Sequence, residues 1–139
     1  MTAKEYLQQV YHFHCKIKRL QGRREKLRSG LYSLGSPAGK MDVDKVQTSM
    51  SGDTMLRMIA KVDEIERDIV YEIDQMVDAR ERIAGEIERL PNERYRDVLH
   101  KRYIEFKRWE QIAVDMDISV RYVYMLHGVA LKAFEKTMS

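Results

Sequence analysis

Cysteine is almost missing from this chain. Cys15 stands alone among 139 residues, so no internal disulfide can form and the fold must rest on packing. The helical pattern around Cys15 predicts a buried or half-buried thiol with no redox role. Proline occurs only at Pro37 and Pro91, and glycine seven times. These breakers gather in SGLYSLGSPAGKMD, residues 29–42, which is expected to interrupt the chain after its first helix. No apolar run approaches the ~20 residues that a bilayer-crossing helix requires, and MTAKEYLQQV lacks the hydrophobic core of a signal peptide. A cytoplasmic location is therefore expected.

Enzyme signatures are also missing. The chain has no glycine-rich phosphate loop, no HExxH, no CxxC and no strand pattern able to carry a nucleophile elbow. His12 and His14 are two residues apart and so lie on different helical faces, while His100 and His127 have no acidic or cysteine partner at ligand spacing. The row Glu64, Asp68, Glu72 reads as a hydrated helix face in preference to a cation site. These absences predict a non-enzyme with no metal, cofactor or small-molecule substrate.

What remains is helix. Tyr6, Val10, Phe13, Ile17, Leu20, Arg24, Leu27 and Leu31 alternate spacings of 4 and 3, as expected of a helix packed lengthwise on another. Met58, Val62, Ile65, Ile69, Ile73, Met76, Ile83, Ile87 and Leu90 define a second, longer helix. Two successive spacings of 4 around Ile69 predict a stutter there, and Asp53 is a plausible cap. Residues 1–30 carry a net charge of +6 and residues 53–90 a net of −5, so the two helices can dock as opposites. The basic run KIKRLQGRREKLR then reads as the solvated face of that hairpin; the alternative is that it lies along phosphates. Between the helices, MDVDKVQTSMSGD spaces Val43, Val46 and Met50 in a polar stretch, which suggests a docked loop or short helix.

The last third is the most informative. Trp109, Ile112, Ala113 and Met116 fall at i, i+3, i+4 and i+7 of one short helix. Asp117, Ile118 and Ser119 follow, with Ser119 suited to cap a second helix whose inward positions are Val123, Leu126, Ala130, Leu131 and Phe134. The opposite face then offers Val120, Arg121, Tyr122, Tyr124 and Met125, with Gly128 further along. Guanidinium suits guanine and apolar groups suit the thymine methyl, so this face fits base edges in a major groove; the alternative is that Tyr122, Tyr124 and Met125 pack on the preceding helices. Upstream, Leu90 and Pro91 enter a third helix with Val98, Leu99 and Tyr103 as its apolar stripe. Arg102, Lys107 and Arg108 crowd the approach to Trp109 beside Lys101, where they would hold DNA phosphates or remain as solvated charge.

Leu90-Pro91, Val98-Leu99, Arg102-Tyr103, Glu110-Gln111-Ile112-Ala113, Ile118-Ser119, Val123, Leu126 and Ala130-Leu131 together resemble region 4 of sigma-70 factors, the part that reads the −35 promoter element. The pattern RYIEFKRWEQIA followed by VYMLHGVAL, behind a helical N-terminal region, resembles small phage regulators of Gram-positive bacteria of the RinA and ArpU types. That resemblance implies a helical DNA-binding domain and control of phage or mobile-element transcription in a bacterial host cell. It does not extend to promoter melting.

The expected fold is all-α: a coiled-coil-like helical hairpin over residues 1–90 (helix about 2–30, linker about 31–52, long helix about 53–89) and a three-helix, sigma-70 region 4-like helix-turn-helix domain over 91–139. The expected base-contacting residues are Ser119, Val120, Arg121, Tyr122, Tyr124 and Met125, and the phosphate contacts Arg102, Lys107 and Arg108. Double-stranded DNA is the expected partner, with host RNA polymerase as a further contact and a homodimer formed through the hairpin. The alternatives are a phage DNA-packaging component like a small terminase subunit, or a protein-binding helical adaptor.

Overall fold

The first helix is set by four residues. Thr2 Oγ1 accepts from the Glu5 amide at 3.2 Å while the Glu5 carboxylate accepts from the Thr2 amide at 2.9 Å, a reciprocal cap that starts α1 at Ala3–Leu7. The computed structural model describes residues 1–35 and 52–138, with residues 32–35 as helical backbone alone. After α1 come α2 (Gln9–Gly35), α3 (Gly52–Glu88), α4 (Glu93–Leu99), a π-helical turn (His100–Ile104), α5 (Trp109–Met116) and α6 (Val120–Thr137). The chain is all-helical, with no strand among the described residues.

Two helix ends differ from those read in the sequence. α2 continues to Gly35 instead of stopping near residue 30, because a glycine costs a helix only about 1 kcal/mol, a penalty that packing readily overrides. Asp53 lies inside the first turn of α3 rather than capping it, where its charge still favours the positive helix end. Pro37, Val43, Val46, Met50 and most of the expected 31–52 linker lie outside the described residues.

The chain divides into two compact units, Cys15–Ile73 and Met1–His14 with Asp74–Ser139. In the first, α2 and α3 run antiparallel. Lys16 pairs with Glu72 at 2.7 Å, Arg28 pairs with Glu66, and a Cβ at Gly30 would meet Met58 at 3.3 Å, so partners descend α3 as α2 ascends. Ile17, Val62, Ile65 and Ile69 are buried between them. The expected stutter at Ile69 is absent. Ile73 is 38% exposed and Glu72 only 6%, so the seam keeps its alternation of 4 and 3 through a carboxylate. Glu72 can occupy that place because its stem packs while Lys16 supplies the counter-charge; it is not part of a hydrated acidic face.

The second unit does not begin at Leu90–Pro91, where the sequence reading divides the chain. Ala3, Leu7 and Val10 join Ala79, Ile83, Ile87, Leu90 and the buried residues of α4 to α6 in one core. α1 packs on α6, with the Tyr6 and Phe134 rings 6.0 Å apart, and Tyr6 Oη donates to Glu86 Oε1 at 2.5 Å. The C-terminal helices thus bury part of their apolar surface against the N-terminus. Pro91 sits just outside α4; Asn92 Oδ1 is the cap, accepting from the amides of Arg94 at 2.9 Å and Tyr95 at 3.3 Å.

The wide turn after α4 departs from the single helix expected there. The Glu105 amide reaches back to the His100 carbonyl at 3.1 Å and that of Lys107 to Lys101 at 2.9 Å, while Phe106 takes a left-handed φ of 57°, which is uncommon for a bulky residue. Residues five apart now face each other, so His100 Nδ1 meets Glu105 Oε2 at 2.8 Å. Tyr103 and Ile104 both turn into the core.

A half-open ion pair in an apolar seam stabilises little beyond an apolar replacement, but breaking it strands a buried charge. Lys16→Ala should therefore lower stability by about 1–3 kcal/mol in urea unfolding, whereas Glu72→Leu should be neutral or stabilising. Equal losses in both would remove Glu72 from the seam.

Candidate nucleic-acid interface

The interface is built on the angle between α5 and α6. α5 follows Arg108, an N-cap that makes no side-chain capping bond, and gives way to Asp117, whose left-handed φ of 57° sends the chain back; aspartate tolerates that conformation better than most residues. The turn is closed by the Ile118 amide on the Ala113 carbonyl at 3.0 Å. Ser119 Oγ then accepts from the Tyr122 amide at 3.1 Å and caps α6, as its hydroxyl chemistry predicts. Ile112 and Ala113 of α5 and Val123, Leu126, Ala130 and Phe134 of α6 are buried, while Leu131 is half-buried.

With 3.6 residues per turn, burial of those four α6 residues turns the intervening ones outward. Arg121 is exposed, and Tyr122, Tyr124 and Met125 are 37%, 51% and 55% exposed; Ser119 is exposed and Val120 half-buried. The structure thus brings the six expected base-contacting residues together at one end of α6. Two tyrosines are braced. Arg94 Nη1 donates to Tyr122 Oη at 3.2 Å with its guanidinium 5.8 Å from the ring centre, and Tyr124 packs on Trp109 at 5.3 Å. Arg121 has no such partner among the described residues.

The three expected phosphate contacts separate. Arg108 is exposed. Arg102 is half-buried, its guanidinium 4.2 Å above the Trp109 ring and Nη1 donating to the Lys107 carbonyl at 2.9 Å, an arrangement that fixes the start of α5. Lys107 lies between Asp115 at 2.6 Å and Glu105 at 3.3 Å. The hydrogen bond to Lys107 holds the Asp115 carboxyl below its usual range, and Asp115 in turn raises Lys107. Glu105 is lowered chiefly by His100, then by Lys107. Sequence spacing missed these engagements; only the i, i+5 placement of His100 and Glu105 could have hinted at a π turn.

Behind the exposed face lies a part-buried polar contact that sequence reasoning also missed. Tyr103 Oη and His127 Nε2 are 2.7 Å apart with their rings stacked, and Trp109 meets His127 edge-on at 4.6 Å. Burial pushes the Tyr103 phenol up to about 12. Burial, helped by the charges of Lys4 and Arg102, pushes His127 down to about 4. Both groups are neutral near pH 7, and one hydrogen bond joins them without an uncompensated charge.

The family described as "Protein of unknown function (DUF1492)" matches residues 34–135. The chain belongs to that family. The DUF1492 match spans α3, α4, the π turn, α5 and most of α6, and so includes every residue of the candidate interface. It leaves out α1 and nearly all of α2. No curated protein and no solved structure matches the chain.

His127 gives this DUF1492 protein an acid limit. Its folded pKa lies below the ordinary 6.5, so the unfolded chain binds the proton more readily. Its contribution to stability is complete above about pH 6.5 and is lost as pH falls toward 4. After solvent screening the loss is about 1–2 kcal/mol. Urea midpoints followed by Trp109 fluorescence should fall across that window, and His127→Gln should flatten the fall. An identical acid dependence in the variant would exclude His127 as its source.

Proposed function

We propose that this protein is a sequence-specific DNA-binding regulator of phage or mobile-element transcription, with α5 and α6 acting as a helix-turn-helix reader. The observation that carries the reading is the joint exposure of Arg121, Tyr122, Tyr124 and Met125 on the outer face of α6. An exposed guanidinium with no partner among the described residues, beside braced aromatic and thioether side chains, suits guanine and thymine edges. It is costly surface chemistry for a helix with no partner, because exposed apolar groups on adjacent turns favour association. The likeness of Glu110-Gln111-Ile112-Ala113, Ile118-Ser119 and Val123 to sigma-70 region 4, and of the whole pattern to phage regulators, supports the same reading.

Within it, Ser119, Val120, Arg121, Tyr122, Tyr124 and Met125 face bases, and the exposed Arg108 is the phosphate contact whose side chain has no ion pair or hydrogen bond among the described residues. Arg102 and Lys107 act by holding Trp109 and Asp115 in place, which orients α5 toward the duplex. A single reader covers limited DNA surface, and a second copy would roughly double the phosphate contacts; a homodimer is the functional form, with host RNA polymerase as a further partner. No catalytic step is assigned to the chain.

Binding-site selection with the full chain should recover a preferred duplex. On that site Arg121→Ala should weaken binding by about 1–3 kcal/mol, roughly five- to 150-fold, and relax preference at one base pair. Its affinity for an unrelated duplex should change little. Unchanged affinity and unchanged preference on the selected site would overturn the assignment of α6 as the reader.

A further inference from the structure

The basic run of α2 is not balanced by α3. Of its cations, Lys16 and Arg28 sit at the seam edge on Glu72 and Glu66. Lys18, Arg19, Arg23 and Lys26 are exposed, and none has an ion pair or hydrogen bond among the described residues. At 100° per residue these four fall within an arc of about 140° on the side opposite Ile17, Leu20, Arg24 and Leu27. Gly22 shares that arc, and Glu25 is the one acid at its border. The charge asymmetry of the two helices therefore serves docking at two pairs and leaves a cationic stripe facing outward.

We infer that this stripe, Lys18, Arg19, Arg23 and Lys26, is a second DNA contact that tracks the phosphate backbone without reading sequence. The inference rests on the DNA-binding reading above and extends it to a unit that contains none of the proposed base contacts. The dimensions fit. Lys18 to Lys26 spans about 12 Å along the helix, and each strand of a duplex carries one phosphate per about 3.4 Å of its axis, so the four cations run beside roughly four phosphates of the strand they track. A lipid surface is a poorer match, because an interfacial helix inserts large apolar residues beside its cations. Within a turn of the stripe, the other residues on the arc are Cys15, Gly22, Ser29 and Gly30, none of them large and apolar. The length and flexibility of the four side chains suit a repeating charge array better than one fixed carboxylate.

The test compares the full chain with a full-length variant carrying Lys18→Gln, Arg19→Gln, Arg23→Gln and Lys26→Gln, whose helicity is checked by circular dichroism. Both are titrated with the selected duplex and with an arbitrary 30-base-pair duplex between 50 and 200 mM salt. The slope of log affinity against log salt should fall by two to about 3.6 in the variant. Affinity for both duplexes should drop by the same factor, leaving the specificity ratio intact, and Lys18→Arg with Lys26→Arg should retain the wild-type slope. A wild-type slope in the quadruple variant overturns the inference while the reader on α6 stands. Loss of binding to phosphatidylserine vesicles with no change on DNA overturns it in favour of a membrane surface. Wild-type chain that binds neither duplex overturns both readings together.

Discussion

The arrangement depends on one buried face. Val123, Leu126, Ala130 and Phe134 of α6 lie against α4, α5 and α1, and the 3.6-residue turn then leaves Arg121, Tyr122, Tyr124 and Met125 no inward position. Ala113 and Ala130 are small at the points of close approach, and Phe134 fills the space beside Tyr6. Removing apolar area from water drives this packing. Outward presentation of the polar and aromatic residues is its geometric consequence, and it requires no separate stabilisation.

Around that face, charged and aromatic groups act mostly on one another. Trp109 is held between the Arg102 guanidinium, the His127 edge and Tyr124, which fixes where α5 begins although its cap residue, Arg108, makes no capping bond. Lys101 and Lys107 converge on Asp115. A count of cations in this region thus overstates the charge available to an external anion, and Arg108 and Arg121 are the exposed cations at the two helix starts. In the other unit the balance runs the opposite way: a helix whose net charge looks neutralised by its neighbour keeps four cations pointing into solvent.

The N-terminus has a role that its distance in sequence conceals. Ala3, Leu7 and Val10 are buried in the same core as α4 to α6, so an isolated C-terminal fragment would expose the surface they cover. Two long helices each contribute to both compact units, and the family match begins only at residue 34. The core of the candidate interface therefore includes residues that the matched region does not contain.

The helices and their faces follow from local spacing along the chain. Period-3.6 spacing marked Ile17, Val62, Ile65 and Ile69 in one unit and Ile112, Val123, Leu126 and Phe134 in the other, because burial of apolar area imposes that spacing locally. Ser119 was legible as a cap for the same reason: its partner is three residues away. The rest came from contacts between distant parts of the chain. They chose Glu72 over Ile73 for the seam through a counter-charge 56 positions away at Lys16, widened the helix at His100, drew Arg102 onto Trp109 and set α1 against α6. Each of these depends on which distant group supplies a partner for a charge, a ring or a cavity, and periodicity along one chain segment carries no information about that partner.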